Sequence, residues 1–235
     1  MQKNIISYND KDTELEGYYA YIESDKKKPV VLVAHDWSGN NDFAKRKAEQ
    51  LAELGYIGFA IDMFGKGKIG KTKEEKSALI QPLIQDRNML QQRILAAYNT
   101  VKKLKNADVS HIGAIGFCFG GLCVLDLARS GADVKGVVSF HGLLQAPQNT
   151  APHPIKAKIL ALHGYDDPMV TPDAVMHFGN EMTAAKVNWQ LDMYGNTMHA
   201  FTNPDANDPS FGTVYNKQAD TRSWIAMRNF FEEIF

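Results

Sequence analysis

The stretch "GFCFGG" at residues 116–121 decides how this sequence is interpreted. It joins an apolar, strand-like segment, "HIGAIGF", to a helix-like segment, "FGGLCVLDLARSG". Cys118 therefore lies at a strand-to-helix turn, with glycines on both sides. Such a turn strains the backbone of its central residue, and side chains in place of the glycines would collide with the strand and the helix. The pattern is typical of an exposed nucleophile, and its alternative is a buried cysteine in a glycine-rich packing contact.

Apolar strands alternate with helices along the rest of the chain. Predicted strands lie at 14–24, 30–34, 56–64, 111–117, 134–142, 156–164 and 187–195, the first as an edge strand or hairpin. Predicted helices lie at 41–55, 77–105 with a break near Pro82, 119–131, 172–185 and 221–235. This alternation predicts an α/β fold with a mainly parallel central sheet and helices on both faces. We expect one domain over 1–235, without a large cap domain.

The composition excludes several classes of protein. The chain has 235 residues, 44% of them apolar and 23% charged, with a formal net charge of −1. Nothing in this balance indicates nucleic acid or a membrane surface as a partner. No segment reaches the roughly 18 consecutive apolar residues of a membrane span, and the N-terminus lacks the apolar region of a signal peptide. With two cysteines, the chain is predicted to be cytoplasmic with reduced thiols, and its oligomeric state stays open.

Reactive side chains follow the predicted strands. Cys118 comes after one strand, Asp166 and Asp167 after a later one, and His199 after the last. In open parallel sheets, the carboxyl ends of the strands surround the active site. The chain order of nucleophile, acid and base is that of α/β-hydrolases, whose nucleophile turn has the pattern G-x-S-x-G. Here a cysteine replaces the serine. A helix N-terminus beside it favours a thiolate.

The same segments resemble the dienelactone hydrolase (carboxymethylenebutenolidase) family over nearly the whole chain. "GFCFGG" is similar to the family's G-x-C-x-G-G turn, "HGYDDPMV" to its acid loop and "GNTMHAF" to its histidine loop. The acid-loop pattern selects Asp167 over Asp166. The resemblance implies an α/β-hydrolase fold, a Cys-His-Asp triad, hydrolysis of small esters or lactones, and neither a metal nor another cofactor.

The roles follow from this resemblance and from the chemistry of the side chains. Cys118 is expected to attack the carbonyl, His199 to move the proton and Asp167 to orient the imidazole. Backbone N–H groups of Trp37 and Phe119 are expected to hold the oxyanion. Taken singly, Asp167 is also a candidate helix N-cap and His199 a hydrogen-bonded loop histidine. It is improbable that Cys118, Asp167 and His199 all stand at these positions for such unrelated structural reasons.

Three further residues are predicted to bind substrate or modulate the site: Asp36, His141 and Phe201. The family usually has a glutamate where this chain has Asp36, and the hypothesis is that Asp36 still contacts the site and restrains Cys118. Its alternative is a cap on the helix that begins near Asp42. Phe201, together with Phe211 and Tyr215, is expected either to line an apolar wall or to anchor the loop 200–219.

The chain differs from the family at the position whose side chain binds the charged group of the substrate. Asn203 stands where dienelactone hydrolases carry an arginine that binds the substrate carboxylate. Arg87 and Arg93 are candidate replacements, although solvated positions on a helix face are more usual. The lysines of the 65–76 segment are expected in a solvated loop, with an anion-binding site as the alternative. Dienelactone itself is therefore in doubt as the substrate, and esters, other lactones and thioesters remain.

Two other functional classes stay open from the sequence. One is a non-catalytic binding module on a hydrolase fold, which the complete set of three residues disfavours. The other is a thiol-redox protein that uses Cys118, which the lack of a well-placed resolving cysteine disfavours. His35, His141 and His163 also lie near strand ends, but no acid or thiol stands at metal-ligand spacing with them.

Overall fold

A computed structural model describes residues 1–235, and a central eight-stranded sheet organises it. The sheet order is β1-β2-β4-β3-β5-β6-β7-β8, in which β1 and β2 form an antiparallel hairpin at one edge and the remaining strands run parallel. The strand bounds are β1 Gln2–Asp10, β2 Thr13–Tyr21, β3 Lys28–Ala34, β4 Ile57–Ala60, β5 Ala107–Phe117, β6 Gly136–Phe140, β7 Lys158–Gly164 and β8 Trp189–Tyr194. Two short strands, β9 Asn207–Asp208 and β10 Thr213–Val214, pair with each other in a loop. The predicted α/β fold with a mainly parallel sheet is confirmed.

Helices cover the sheet on both faces, as its apolar strands require. The helix bounds are α1 Asp42–Glu53, α2 Lys73–Gln85, α3 Arg87–Val101, α4 Phe119–Arg129, α5 Pro172–Ala184 and α6 Lys217–Ile234. The side chains of β3 alternate between two buried clusters, with Val30 and Leu32 in one and Val31 and Val33 in the other. Helices α3, α4 and α5 pack on the first cluster, and α1 and α6 on the second. Burial on both faces explains why these strands are continuously apolar.

The helical region before β5 breaks at a different residue from the one predicted. Pro82 lies inside α2, and the chain instead leaves the helix at Asp86, where φ is −115° and ψ is 89°. The Asp86 carboxylate then accepts a hydrogen bond from the Met89 N–H and so caps α3. The sequence prediction placed the break four residues too early because proline ends or kinks most helices at its own position. None of the helices has the length and apolar character needed to cross a membrane.

Candidate active site

Cys118 lies at a strained turn between β5 and α4. Its φ of 55° and ψ of −117° are rare for a residue with a side chain, and its side chain is half-buried. The flanking glycines permit this turn. A Cβ on Gly116 would stand 2.0 Å from the Gly120 carbonyl oxygen, and one on Gly120 would stand 2.1 Å from the Ala34 carbonyl oxygen. The glycines of the motif are therefore explained by backbone contacts that leave no room for a methyl group.

Asp167 and His199 meet at the carboxyl end of the sheet. The Nδ1 atom of His199 lies 2.7 Å from Asp167 Oδ2, and both side chains are almost fully buried. The other oxygen, Asp167 Oδ1, accepts a hydrogen bond from the Met169 N–H at 2.8 Å, which fixes the carboxylate. Asp166 instead accepts from the Thr197 N–H. Asp167 does not cap α5, whose N-cap residue is Thr171.

The environment of His199 favours its charged form. Burial alone would lower the pKa of His199, but the Cys118 thiolate and the Asp167 carboxylate outweigh burial and raise that pKa from 6.5 to about 10. The second ring nitrogen, Nε2, is buried without a hydrogen-bond partner and lies beside Cys118. An imidazolium at this position stabilises negative charge on a neighbouring sulfur, and a thiolate is the reactive form of a cysteine nucleophile.

Two backbone N–H groups beside Cys118 have no acceptor in the protein. They belong to Trp37, in the loop after β3, and to Phe119, the first residue of α4. Both residues line the cavity that contains Cys118 and His199. Unpaired donors at a helix N-terminus attract negative charge, so this part of the cavity is suited to an oxyanion.

Asp36 lines the same cavity, and its carboxylate closes a local turn. Oδ1 of Asp36 accepts a hydrogen bond from the Ser38 N–H at 2.8 Å, and no hydrogen bond joins Asp36 to the Cys118 thiol. The alternative prediction, that Asp36 caps the helix near Asp42, is wrong because the Asn41 side chain caps α1. A restraint of the thiol by Asp36 therefore stays a prediction, without a direct contact in this conformation.

His141 and Phe201 occupy different layers of the site. His141 lines the cavity, packs edge-on to His199 at 5.1 Å between ring centroids, and has its Nε2 2.8 Å from Thr202 Oγ1. Burial, followed by the charge of His199, holds the pKa of His141 well below 6.5, so its ring is neutral. Phe201 is fully buried behind His141, against Tyr194, and does not line the cavity. The expectation that Phe201 lines a pocket wall is therefore wrong. The sequence did not reveal the contact between Thr202 and His141.

The cavity has a volume of about 440 Å³ and a rim of aromatic and charged side chains. Trp37 and Phe211 stack with ring centroids 5.6 Å apart. Lys73, over the Phe211 ring, pairs with Asp208 at 2.8 Å, and Lys76 lies over the Trp37 ring without an ion-pair partner. Two lysines expected in a solvated loop thus lie on α2 at the cavity mouth. Phe211, rather than Phe201, supplies the aromatic wall.

Arg87 and Arg93 are neither solvated nor part of the cavity. Arg87 donates two hydrogen bonds of 2.6 Å, from Nε and Nη2, to the two carboxylate oxygens of the fully buried Asp126. Arg93 pairs with Asp10 at 2.9 Å and donates to the Met63 carbonyl oxygen. Both expectations for these residues are wrong, because carboxylates that are remote in sequence, Asp126 and Asp10, hold the two arginines inside the fold.

The histidines near the other strand ends are buried as well, and no cluster of three or more His, Cys, Asp or Glu side chains could hold a metal ion. Cys118 and Cys123 are both free thiols.

Known proteins resemble this chain over most of its length. A sequence model of the dienelactone hydrolase family matches residues 15–235. A protein of Aquifex aeolicus whose name assigns it as a carboxymethylenebutenolidase is 27% identical over 87% of each chain. A dienelactone hydrolase-like promiscuous phosphotriesterase from metagenomic libraries has a crystal structure that covers 100% of this chain and 98% of its own, with 35% identity and a TM-score of 0.93. A dienelactone hydrolase structure from Anabaena variabilis, 20% identical over 100% of this chain and 98% of its own with a TM-score of 0.68, shares the fold.

Proposed function

The chain belongs to the dienelactone hydrolase family, a family of ester and lactone hydrolases, and on this premise we propose that it cleaves an ester, lactone or thioester through Cys118, His199 and Asp167. We further propose that residues 1–235 act as one catalytic domain. The observation that carries the proposal is the convergence of the three side chains at the carboxyl end of the sheet, with an Asp167–His199 distance of 2.7 Å.

In the first half of the reaction, the Cys118 thiolate attacks the substrate carbonyl carbon and forms a C–S bond. The carbonyl electron pair moves onto oxygen, and the Trp37 and Phe119 N–H groups stabilise the resulting oxyanion. When the tetrahedral intermediate collapses, the bond to the leaving oxygen breaks. The protonated Nε2 of His199 gives its proton to that alkoxide, and an acyl-thioester on Cys118 remains.

In the second half, neutral His199 takes a proton from a water molecule, and the hydroxide attacks the thioester carbonyl. The same two N–H groups stabilise the second oxyanion. Collapse breaks the C–S bond, releases the carboxylic acid and restores the thiolate beside an imidazolium. Asp167 holds the ring orientation throughout, and its charge supports the imidazolium in each cycle.

The test is hydrolysis of a simple aryl acetate by the wild type and by Cys118→Ala. We expect kcat/KM to fall by about 10⁴-fold or more, since removal of a nucleophile leaves only binding and the oxyanion site. Cys123→Ala is the matched control, because it removes a buried thiol from α4 and should retain the activity. Equal rates in Cys118→Ala and wild type would refute the mechanism.

The same assay separates the two alternative functions. A non-catalytic binding module would neither turn over the ester nor label Cys118 with an electrophilic ester probe. A thiol-redox protein would consume peroxide without cleaving the ester. Burst release of the aryl alcohol, in an amount equal to the titratable Cys118, would instead support the acyl-enzyme.

The charges around the cavity favour an uncharged substrate. No arginine lines the cavity, and Lys73 is neutralised by Asp208. Lys76 is the lysine of the cavity without an ion-pair partner, and the carboxylates of Asp36 and Asp205 line the same cavity. A carboxylate-bearing lactone such as dienelactone therefore lacks a strong positive partner here. We propose that neutral esters and lactones are cleaved in preference to their carboxylate-bearing analogues.

A neutral phosphotriester fits the same description and is the second candidate substrate. The 35% identical phosphotriesterase supports this choice. The Cys118 thiolate would form an S–P bond, the aryloxide would leave with the proton from His199, and water would then hydrolyse the S–P bond. The phosphoryl oxygen would occupy the place of the oxyanion.

A panel of four compounds tests this preference: a neutral aryl ester, its carboxylate-bearing analogue, a neutral lactone and an aryl phosphotriester. We expect the neutral ester to exceed its charged analogue in kcat/KM, and Lys76→Met to lower the rate only for the charged analogue. A preference for the charged analogue in the wild type would contradict the proposed substrate class while leaving the Cys118 chemistry intact.

A further inference from the structure

His35 is a fully buried side chain that the proposed reaction does not use. It follows β3 directly and precedes Asp36 and Trp37 in the loop that supplies the first oxyanion donor. Each of its ring nitrogens has one backbone partner. Nδ1 lies 2.6 Å from the Asp36 carbonyl oxygen, and Nε2 lies 3.1 Å from the Met63 nitrogen.

These two contacts define the protonation of the ring. The Met63 N–H can only donate, so Nε2 must carry a lone pair. The proton of the neutral ring is then on Nδ1, which donates to the Asp36 carbonyl oxygen. Burial lowers the pKa of His35, so the neutral ring is the expected form. The ring thus forms a fixed bridge between the loop after β4 and the loop after β3.

The Asp36 carbonyl and the Trp37 N–H belong to the same peptide unit. A peptide unit is planar, so a donor that fixes the direction of its C=O also fixes the direction of its N–H. The other donor to this oxygen, the Gly39 N–H, is more distant at 3.4 Å. A hydrogen bond to the carbonyl also polarises the peptide and strengthens its N–H as a donor.

Packing holds the ring in this position. The Phe64 ring meets His35 edge-on at 4.6 Å between centroids, and the Phe119 ring, which stacks on Phe64, lies 6.4 Å from His35. Phe119 carries the second N–H proposed for the oxyanion. His35 therefore contacts the peptide of one proposed donor directly and packs close to the residue that supplies the other.

We propose that His35 is a positioning residue that orients the Trp37 N–H toward the oxyanion through the Asp36 carbonyl. This inference rests on the proposed function, because it requires a tetrahedral intermediate at Cys118. It concerns both halves of the reaction, since each passes through an oxyanion.

Two polar variants separate the two contacts of the ring. In His35→Asn, the amide nitrogen can take the place of Nδ1 and donate to Asp36, while the contact with Met63 is lost. In His35→Gln, the longer side chain can accept from Met63, while the donor to Asp36 is lost. We expect kcat to fall about 10- to 100-fold in His35→Gln, since loss of one oxyanion donor costs about 10²- to 10³-fold. In His35→Asn, kcat should stay within about fivefold of wild type, and KM should change little in both.

Alkylation of Cys118 by iodoacetamide separates a positioning role from a merely structural one. This reaction displaces iodide without forming an oxyanion, so it does not need the Trp37 N–H. Both variants should be alkylated at the wild-type rate, and turnover is measured on protein whose circular dichroism spectrum matches that of the wild type, so that misfolded protein does not count. Tyr98→Phe is the control for a lost side-chain hydrogen bond, because the Tyr98 hydroxyl donates to the Asp133 carbonyl oxygen away from the cavity, and it should leave kcat unchanged.

Three results would overturn the inference: an unchanged kcat in His35→Gln, an equal loss in His35→Asn, or a parallel loss of alkylation. Ester cleavage that persists in Cys118→Ala would instead refute the proposed function, and the role of His35 would fall with it.

Discussion

The turn around Cys118 and the rim of the cavity differ in how they are held. At the turn, buried backbone atoms approach so closely that single methyl groups do not fit, and His199 and Asp167 are enclosed by protein. At the rim, α2 and the 203–213 loop meet through side chains, including the partly exposed pair Lys73–Asp208. In the proposed mechanism, the reaction type therefore depends on rigid backbone geometry, and the choice of substrate depends on side chains that can change at little cost to the fold.

The first way to test this difference is to place one methyl group in each kind of environment. In Gly116→Ala, the Cβ would stand 2.0 Å from the Gly120 carbonyl oxygen, and neither backbone segment can move without displacing Cys118. We expect a loss of about 3 kcal/mol or more in the free energy of unfolding, measured in urea, together with loss of esterase activity. Gly195→Ala is the matched control, since nothing lies within 4 Å of its Cβ. A stable and active Gly116→Ala would show that the turn tolerates adjustment.

The second test concerns the charges at the turn. His199 should remain an imidazolium up to about pH 10 in the wild type and become neutral above it, because the Cys118 thiolate leads the interactions that raise its pKa. Nitrogen NMR of histidine-labelled protein measures this titration. In Cys118→Ala the thiolate is gone, so the pKa of His199 should move down, whereas Cys123→Ala should leave it in place. An unchanged titration in Cys118→Ala would mean that Asp167 alone holds the proton.

The sequence predicted the turn well because its requirements are local. Gly116 and Gly120 stand at fixed offsets from Cys118, and the strand before it and the helix after it are visible as apolar segments. Chain order then allowed Asp167 and His199 to be grouped with Cys118, because parallel strands bring their carboxyl ends together. Each step depends on short segments whose backbone conformation limits the possible residues.

The rim was harder to predict because its contacts join distant parts of the chain. Nothing near Arg87 in the sequence reveals that Asp126 holds it inside the fold. Phe201 and Phe211 look alike in the sequence, yet one is buried behind His141 and the other stacks on Trp37. The lysines at 73 and 76 were expected in a loop because the segment 65–76 is rich in glycine and lysine, and such a composition does not distinguish a cavity mouth from a solvated surface.

A third test weakens the aromatic part of the rim. Phe211→Leu removes the stack with Trp37, and such pairs contribute about 0.5–1.5 kcal/mol beyond the area they bury. We expect KM for an aryl ester to rise several-fold while kcat stays within about twofold, as measured in steady-state assays. Phe230→Leu is the control, since it removes a half-buried phenylalanine of α6 that lies away from the cavity. A fall in kcat with KM unchanged would place Phe211 in the chemistry instead.

The smallest effect is expected at the ion pair across the cavity mouth. Hydrogen bonds from Lys73 and Ser210 hold the pKa of Asp208 at about 2, but the pair is partly exposed, and such pairs contribute little to stability. Lys73→Met should leave the urea midpoint and kcat unchanged and should alter KM by less than about fivefold. Lys66→Met, which breaks the similar pair with Glu14 away from the cavity, should leave KM unchanged as well. If Lys73→Met lowered kcat as Gly116→Ala is expected to, the rim would take part in holding the reacting groups, and the separation between a rigid turn and a tolerant rim would fail.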